Sequence, residues 1–270
     1  MTSRPDTRRA QGQPEIGTTA QGFSLTVLGA ATPYPRPDQP CSGYLLRTPH
    51  ARIWADTGPG TMAELQRHIT LEELSAIWIS HLHPDHCSDL LSVYQWLSNA
   101  AEPLPPVPVF GPPDWAQHVE AFLPTGRRGM LDRFFDSHEL DDRHTVVVGD
   151  VTLTSRRVCH SVPTFGVRAE HGGRVLAYSG DSGPCGSLNE LALDADLFVC
   201  ESGATQETPS QDAYHCTPED AGRVASVSGA DRLVLTHLAP GLPSAEAVHR
   251  AAEVYGRTVS LAEVGSSLPI

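Results

Sequence analysis

The sequence has little positive charge, no closely spaced cysteine pairs and no long apolar run. Its 270 residues carry 19 basic and 32 acidic side chains, which gives a formal net charge of -13. A surface with that charge repels nucleic acid, because nucleic-acid binding depends on neutralisation of phosphates by Lys and Arg. The six cysteines include no C-x-x-C pair and show no disulfide framework. We therefore expect no long nucleic acid as a partner.

The start of the chain lacks the apolar segment of a signal peptide, and no apolar run is long enough to span a bilayer. These absences predict a cytoplasmic protein with reduced thiols and no membrane partner. Residues 1–21 have almost no apolar content, and we interpret them as a disordered or loosely attached N-terminal tail. The chain as a whole is 40% hydrophobic, so residues 22–270 are long enough and apolar enough to form one domain with a large core.

One short segment, Ser80–His86, concentrates the residue types that bind metals. It contains His81, His83, Asp85 and His86, and imidazole and carboxylate ligands suit zinc and related ions. The apolar residues 76–79 predict a buried strand, and two histidines two positions apart on an extended chain face the same way. Asp85 and His86 then begin a helix that we expect to continue through Leu97. The two halves can thus face two metal ions; the alternative is a polar loop with surface histidines.

Four further polar residues, His160, Asp181, Glu201 and His237, each follow or end a predicted strand. Functional groups commonly lie where strands run out into loops. One such residue alone would more often be structural, but four of them together with the Ser80–His86 segment favour a functional site. Strands followed by helices occur twice along the chain, in halves of similar length. This order favours an α/β fold in which two sheets pack face to face with helices outside.

The order of these residues resembles the ligand series of the metallo-β-lactamase superfamily. The resemblance rests on His81-x-His83-x-Asp85-His86, the later His160, the step Ser179-Gly180-Asp181 and the final Thr236-His237-Leu238. Three segments resemble the ribonuclease Z and phosphodiesterase branch in particular. They are Tyr178-Ser179-Gly180-Asp181-Ser182, Asp196 to Ser202, and His215-Cys216-Thr217-Pro218-Glu219-Asp220-Ala221-Gly222. The match extends from about residue 23 to the C-terminus.

The resemblance implies an αββα sandwich of two mixed β-sheets with helices on both outer faces, and a site for two divalent metal ions. It assigns His81, His83 and His160 to one ion, Asp85, His86 and His237 to the other, and Asp181 to a bridging position. The donor set suits zinc, and manganese or iron is also compatible. Asp56, at another strand end, either caps a turn or orients a ligand histidine.

The resemblance also implies a hydrolase, and we expect a phosphodiesterase that acts on a small phosphodiester or cyclic nucleotide. The nucleophile would be a hydroxide held by the two metal ions, with Asp85 also accepting its proton. His215, oriented by Glu201, would stabilise the transition state or protonate the leaving group; otherwise it is an ordinary loop histidine. The family often forms dimers, so a homodimer is expected by analogy.

Three other functions remain open at this point. The same site can hydrolyse an ester, lactone, thioester or β-lactam. A tRNA 3′-processing endonuclease is less favoured, because the family's tRNA-binding arm usually lies between the regions that match His160 and Asp181, and only 20 residues separate them here. A binding module or sensor that has kept the metal site is the non-enzymatic alternative.

The segment 124–137 is the most basic part of residues 100–150, with Arg127, Arg128 and Arg133. It is either a solvated loop or a lid that helps to hold an anionic small-molecule substrate, because binding residues concentrate on loops.

Overall fold

The computed structural model of the chain describes residues 22–123, 129–206 and 213–270. Two seven-stranded β-sheets pack face to face, and helices cover their outer faces. This arrangement confirms the predicted αββα sandwich. Residues 1–21, for which the sequence predicts a tail, lie outside the described residues.

The first sheet combines an antiparallel half with a parallel half. Its strands, in spatial order, are β14 (Ser267–Pro269), β1 (Ser24–Gly29), β2 (Gly43–Arg47), β3 (Arg52–Ala55), β4 (Ala76–Trp78), β5 (Val107–Gly111) and β6 (Phe135–Glu139). Neighbours from β14 to β3 are antiparallel, and neighbours from β3 to β6 are parallel.

The second sheet has the same mixed character. Its strands, in spatial order, are β13 (Val259–Leu261), β12 (Leu233–Leu238), β11 (Leu197–Ser202), β10 (Arg174–Tyr178), β9 (Phe165–His171), β8 (Val151–Arg157) and β7 (Thr145–Val148). Strands β10 to β13 are parallel neighbours, and β7 to β10 are antiparallel neighbours.

Seven α-helices connect or flank these strands in the described part of the chain. They are α1 (Thr61–Leu65), α2 (Pro84–Cys87), α3 (Leu90–Ser98), α4 (Trp115–Glu120), α5 (Gly186–Leu191), α6 (Pro218–Ser228) and α7 (Ser244–Tyr255). Short 3-10 helices occur at Leu71–Glu73 and Leu131–Arg133. Within the described ranges, none of the helices has the length and apolar content that a membrane span requires.

The layers arise from the two-residue period of the strands. Tyr44 and Leu46 on β2 face the apolar layer between the sheets, whereas Leu45 between them packs against the helices of the first sheet. On β11, Val199 likewise faces the inter-sheet layer and Phe198 faces the helices of the second sheet. Strands that are apolar at every position are therefore buried on both faces.

The helix predicted from Asp85 through Leu97 is two helices, α2 and α3. The break occurs at Asp89, because its backbone N–H donates to the carbonyl of Thr57 at 2.8 Å instead of the carbonyl four residues earlier. The Asp89 carboxylate also accepts the backbone N–H of Met62 at 2.8 Å. The break anchors α2 to the loop that follows β3.

The segment predicted as a loop or lid, residues 124–137, is structured where it is described. It contains the 3-10 helix Leu131–Arg133 and the start of β6 at Phe135. Strands β4, β5 and β6 are parallel, so Arg133 precedes the amino end of β6 whereas His81 follows the carboxyl end of β4. Arg133 is therefore at the opposite end of the sheet from the Ser80–His86 segment. Arg127 and Arg128 lie outside the described residues.

Candidate metal centre

The predicted ligands converge at one end of the two sheets. Three sets of side chains bring their ligand atoms within 4.8 Å of one another. These sets are His81, His83, His160 and Asp181; Asp85, His86 and His237; and Asp181, His215 and His237. The first two sets correspond to the two groups predicted from the sequence.

In the first group, three imidazole nitrogens face a common point. His83 Nδ1 lies 3.1 Å from His81 Nε2 and 3.1 Å from His160 Nε2. Nitrogens that share a tetrahedral zinc ion are about 3.3 Å apart when each Zn–N bond is ~2.0–2.1 Å. Asp181 Oδ2 approaches the same point, 3.7 Å from His81 Nε2 and 4.0 Å from His160 Nε2. The spacing therefore fits one metal ion.

In the second group, Asp85 Oδ2 lies 3.3 Å from His237 Nε2 and 3.9 Å from His86 Nε2. Asp181 reaches this group as well. Its Oδ1 is 3.3 Å from His86 Nε2, and its Oδ2 is 3.4 Å from His237 Nε2. Asp181 is thus in contact with both groups, as a bridging ligand would be.

Hydrogen bonds behind the site determine which imidazole nitrogen faces it. The Nδ1–H of His86 donates to Asp56 Oδ2 at 2.8 Å, and that of His160 donates to the Tyr214 carbonyl at 2.7 Å. Ser80 Oγ donates to Asp56, so it accepts from His81 Nδ1–H at 3.0 Å. All three histidines therefore present Nε2 to the site, because a ligand histidine commonly donates its other N–H to an oxygen.

Asp56 is the centre of this supporting network. The buried carboxylate accepts the Ser80 N–H at 2.7 Å, the Ser80 hydroxyl at 2.8 Å, the Tyr178 hydroxyl at 2.7 Å and His86 Nδ1–H. The sequence left two roles open for Asp56, capping a turn or orienting a ligand histidine. The structure supports the second role, with His86 as the histidine. The φ of Asp56, 56°, is in the left-handed region, which Asp tolerates better than most residues.

Burial and charge set the protonation of the histidines in the first group. Burial lowers the pKa of His81 well below its ordinary value, and it lowers the pKa of His160 to about 4. Burial also lowers the pKa of His83. These imidazoles are therefore neutral at pH 7, which is the form that binds metal ions.

The second group attracts positive charge. Burial raises the pKa of Asp181, but His237 and His86 outweigh it and hold that pKa well below its usual range. Burial lowers the pKa of His86, but Asp181 and Asp56 outweigh it and hold that pKa well above its usual range. Ionised carboxylates at a buried position favour a cation, whether a proton or a metal ion.

Unpaired buried atoms provide a direct test of whether a metal ion fits. His86 Nε2 and Asp181 Oδ1 are buried and form an ion pair at 3.3 Å, but this contact lacks hydrogen-bond geometry and no other described group hydrogen-bonds to either atom. A buried polar atom without a partner costs about 1–3 kcal/mol. A divalent cation between them would satisfy both atoms, so the donor set fits a metal centre.

A local irregularity in β12 places His237. Thr236 pairs with Glu201 and Leu238 pairs with Ser202, so His237 is an extra residue in the strand. Its φ of 50° is in the left-handed region. A β-bulge of this kind redirects a side chain, and bulges are frequent next to active sites.

His215 lies over the centre and is held from behind by Glu201. Glu201 Oε1 accepts His215 Nδ1–H at 3.0 Å, and it also accepts the backbone N–H groups of Ser182 at 3.0 Å and Cys216 at 3.2 Å. The His215 ring stacks on His237 with centroids 5.7 Å apart. Burial lowers the pKa of His215, but the hydrogen bond and charge of Glu201 raise it overall to about 9.

Two site residues were not predicted from the sequence. The Thr32 hydroxyl donates to Asp85 Oδ2 at 3.3 Å, and the Tyr178 hydroxyl donates to Asp56. Both lie just after or at the end of a strand. His160 and Asp181 were predicted because they follow strands. The same position relative to a strand, considered for hydroxyl side chains, would also have indicated Thr32 and Tyr178.

Comparisons with known proteins agree with this geometry. A family model described as a β-lactamase superfamily domain matches residues 51–238. An uncharacterized protein of Mycobacterium tuberculosis (strain ATCC 25618 / H37Rv) is 37% identical over 229 residues, which cover 82% of this chain and 83% of that protein. Ribonuclease Z of Mycobacterium bovis (strain BCG / Pasteur 1173P2) is 30% identical over 277 residues, which cover 91% of this chain and 96% of that protein.

Solved structures share the fold. The metallo-β-lactamase fold protein YhfI from Bacillus subtilis has a TM-score of 0.82 at 22% identity, covering 93% of this chain and 100% of that one. A diphosphatase of the PhnP family has a TM-score of 0.71 at 18% identity, covering 92% and 98%. Zinc-bound PqqB from Methylobacterium extorquens has a TM-score of 0.71 at 15% identity, covering 92% and 100%.

Proposed function

Because this chain belongs to the β-lactamase superfamily, a superfamily of hydrolytic metalloenzymes, we propose that it is a metal-dependent phosphodiesterase with a small anionic substrate. A cyclic nucleotide is one such substrate. We further expect a cytoplasmic protein that can form a homodimer. The proposal rests on the donor set, on one proton-donating pair and on the surroundings of the site.

The donor set supports a centre for two divalent ions, with zinc as the expected metal. His81, His83 and His160 would hold one ion, and Asp181 would lie between the two. Asp85, His86 and His237 would hold the other. Such ions, when bound, lower the pKa of water to about 7 and neutralise charge that develops on phosphoryl oxygens.

The contact between His215 and Glu201 is the observation that favours phosphodiesters over carboxylic esters as substrates. Because Nδ1 of His215 is engaged by Glu201 at 3.0 Å, Nε2 is the nitrogen left for the substrate. The raised pKa of His215 keeps a proton on the ring, although the charge of bound cations would lower that pKa again. A protonated imidazole is suited to donate that proton to the departing alkoxide of a phosphodiester, which is a poor leaving group when unprotonated.

Asp85 has a matching role on the attacking side. Burial raises its pKa, but the hydrogen bond from His237 and the charge of His86 outweigh this and lower it overall. The carboxylate is therefore ionised at pH 7 and can accept the proton of an attacking water. Thr32 fixes one carboxylate oxygen by its hydrogen bond at 3.3 Å.

The surroundings of the site support a small substrate. A cavity of about 750 Å³ borders His237 and contains Arg36 together with apolar side chains such as Leu238 and Leu242. Arg36 donates to the Thr32 carbonyl at 3.2 Å, so its positive charge is carried by the same loop that contacts Asp85. The cavity has the size of a small-molecule site; Asp38 and Glu263 also line it, so Arg36 is the group that would contact an anionic part of the substrate.

The chain between His160 and Asp181 also supports a small substrate rather than tRNA. It forms the hairpin of β9 and β10, which closes through Gly172 and Gly173, both with positive φ. An arm of the kind that the ribonuclease Z branch uses for tRNA has no room in this tight turn. The net charge of -13 adds an electrostatic barrier to tRNA.

The test is a substrate panel with the metal-loaded protein. The panel contains bis(p-nitrophenyl) phosphate, 2′,3′- and 3′,5′-cyclic nucleotides, p-nitrophenyl acetate, a lactone and a pre-tRNA. We expect turnover of the small phosphodiesters and no specific cleavage of the pre-tRNA. The proposal is abandoned if no phosphodiester is hydrolysed.

A variant separates phosphodiester from ester hydrolysis. His215→Ala should lower kcat on the cyclic nucleotides, whose leaving group is an alkoxide, by roughly 100- to 10,000-fold, the usual contribution of a general acid. Bis(p-nitrophenyl) phosphate releases nitrophenolate and should be much less affected. Its metal content and its activity on p-nitrophenyl acetate should persist, because nitrophenolate leaves without protonation. His249→Ala, which changes an exposed histidine on α7, is the matched control. Equal losses on both substrates would favour a role for His215 in holding the site together.

A further inference from the structure

Two cysteines, Cys159 and Cys185, lie near each other beside the candidate metal centre. Cys159 precedes His160, and Cys185 precedes α5. The Cys159 carbonyl accepts the backbone N–H of Gly183 at 2.7 Å, and these two residues form an isolated antiparallel bridge. Burial raises the pKa of the Cys159 thiol, and the neighbouring Cys185 raises it further. The backbone pairing thus holds Cys159 beside the segment that leads from Gly183 to Cys185.

Ser182 joins the same pair from the side. Its hydroxyl accepts the backbone N–H of Cys159 at 3.3 Å and lies 3.7 Å from Cys185 Sγ. Ser187 Oγ lies 3.2 Å from Cys185 Sγ on the other side. Ser187 can therefore donate a hydrogen bond to a Cys185 thiolate, whereas the Ser182 hydroxyl donates to the Gly183 carbonyl at 2.6 Å.

These hydrogen bonds affect the chemistry of Cys185. Burial raises the pKa of its thiol, but the hydrogen bonds from Ser187 and from the backbone N–H of Leu188 outweigh this and lower it overall. The thiolate is the nucleophilic form of cysteine, so Cys185 is the more reactive member of the pair.

Solvent access distinguishes this pair from a second one in the same protein. Cys159 is exposed and Cys185 is half-buried. Cys200 and Cys216 are also neighbours, since Cys200 raises the pKa of the Cys216 thiol, but both are 0% exposed. The second pair has the same side-chain chemistry without access to a dissolved oxidant, so it serves as an internal control.

We propose that Cys159 and Cys185 form a redox modification site at which hydrogen peroxide produces an intramolecular disulfide. The Cys185 thiolate attacks peroxide, the O–O bond breaks, and Cys185 becomes a sulfenic acid as hydroxide leaves. The Cys159 sulfur then attacks the Cys185 sulfur, the S–OH bond breaks, and the released hydroxide takes the Cys159 proton to form water. The net reaction converts two thiols and one peroxide into one disulfide and two waters.

The disulfide would connect two loops of the same ligand group, because the Cys159 loop carries His160 and the Cys185 loop follows Asp181. The two loops are already paired between Cys159 and Gly183, and Gly183 is two residues before Cys185. This consequence rests on the proposed metal centre. We expect a chelator to remove metal from the oxidised protein several-fold more slowly than from the reduced protein.

Peptide mapping tests the disulfide without requiring metal or activity. The full chain is treated with hydrogen peroxide, remaining thiols are alkylated, and the protein is digested with trypsin and a glutamate-specific protease. Cleavage after Arg168, Arg174 and Glu190 separates Cys159 from Cys185, and separates Cys185 from Cys200 and Cys216. We expect a linked peptide pair that contains Cys159 and Cys185 and disappears on reduction.

Variants make the test specific. Cys159→Ser and Cys185→Ser should each abolish the linked peptides, whereas Cys200→Ser should retain them. Folded wild-type protein that yields no such pair, or that links Cys200 to Cys216 instead, overturns the proposal. Equal metal-release rates before and after oxidation overturn the effect on the ligand loops. A protein that binds no metal contradicts the proposed function and leaves the peptide result to decide the disulfide.

Discussion

At the scale of single residues, Glu201 controls the protonation of His215. The carboxylate is fully buried, accepts two backbone N–H groups through Oε1 and faces His215 Nδ1. A general acid works only while it is protonated, so the rate falls as the pH rises through its pKa. The hydrogen bond and negative charge of Glu201 raise this pKa, which would extend activity to higher pH if His215 is the proposed general acid.

We expect Glu201→Gln to move the alkaline limb of the kcat–pH profile to lower pH. The amide has nearly the same shape but no charge, so it stabilises the imidazolium less and the pKa of His215 falls, by roughly one unit or more. The measurement is kcat from pH 5 to 10 for the wild type and the variant, with circular dichroism as a check of folding. A folded variant with an unchanged alkaline limb would show that His215 is not the acid.

The proposed two-ion arrangement depends on Asp181, because its two oxygens lie near candidate ligands of both groups. We expect Asp181→Ala to reduce metal content below the wild-type value, since the variant loses a ligand to each ion. Metal analysis of the purified proteins provides the measurement. Asp231→Ala, which removes an exposed carboxylate paired with Arg257, should retain the wild-type content. Full metal content in Asp181→Ala would contradict the bridging role.

At the scale of elements, the turn after β10 brings two ligand segments together. Gly180 has a φ of 59°, and a Cβ at this position would lie 3.0 Å from Ser80 Cβ and 3.1 Å from the Phe165 carbonyl oxygen. Ser80 precedes His81, and Gly180 precedes Asp181. A side chain at residue 180 would therefore push apart two segments that supply the same ligand group.

We expect Gly180→Ala to destabilise the protein and to lower its metal affinity. The left-handed backbone costs about 1–2 kcal/mol for a residue with a Cβ, and the close contacts add to this. Gly173→Ala is the matched control, because Gly173 has a φ of 77° but a Cβ there would meet nothing within 4 Å. Urea denaturation and metal titration of both variants provide the comparison. Equal effects of the two substitutions would show that the contact with Ser80 is unimportant.

Element boundaries were predicted well where apolar periodicity was strong and poorly where it was weak. The apolar residues 76–79 predicted a buried strand, and β4 spans Ala76–Trp78, buried at each of its positions. Strand β6 was missed, because its sequence Phe-Asp-Ser-His-Glu is mostly exposed and polar. It forms because β5 offers a free edge for pairing, and no local pattern in the sequence records that edge.

At the scale of the whole molecule, the site exists because two sheets bring distant segments to one end. The Tyr178 hydroxyl reaches Asp56 across 122 positions of sequence, and His237 reaches Asp85 across 152. The inter-sheet apolar layer fixes these distances, since residues from both sheets share it. The hydrogen bonds that orient the candidate ligands, like the ligands themselves, therefore come from segments far apart in the sequence.

The sequence by itself determined the αββα fold and the identity of the candidate ligands. Apolar periodicity is a local property, and the Ser80–His86 segment carries its spacing within a few residues. The resemblance of this residue order to the metallo-β-lactamase superfamily implied the grouping of His81, His83 and His160 apart from Asp85, His86 and His237. The structure brings together the same groups.

Only the tertiary structure decided how these residues act on one another. The bulge at His237, the four hydrogen bonds accepted by Asp56 and the pairing of Cys159 with Gly183 all depend on how distant segments pair. The tertiary structure also places Arg133 at the end of the first sheet opposite the Ser80–His86 segment, because β6 runs parallel to β5. Register and strand direction are set by packing between segments far apart in the chain, so no local pattern could specify them.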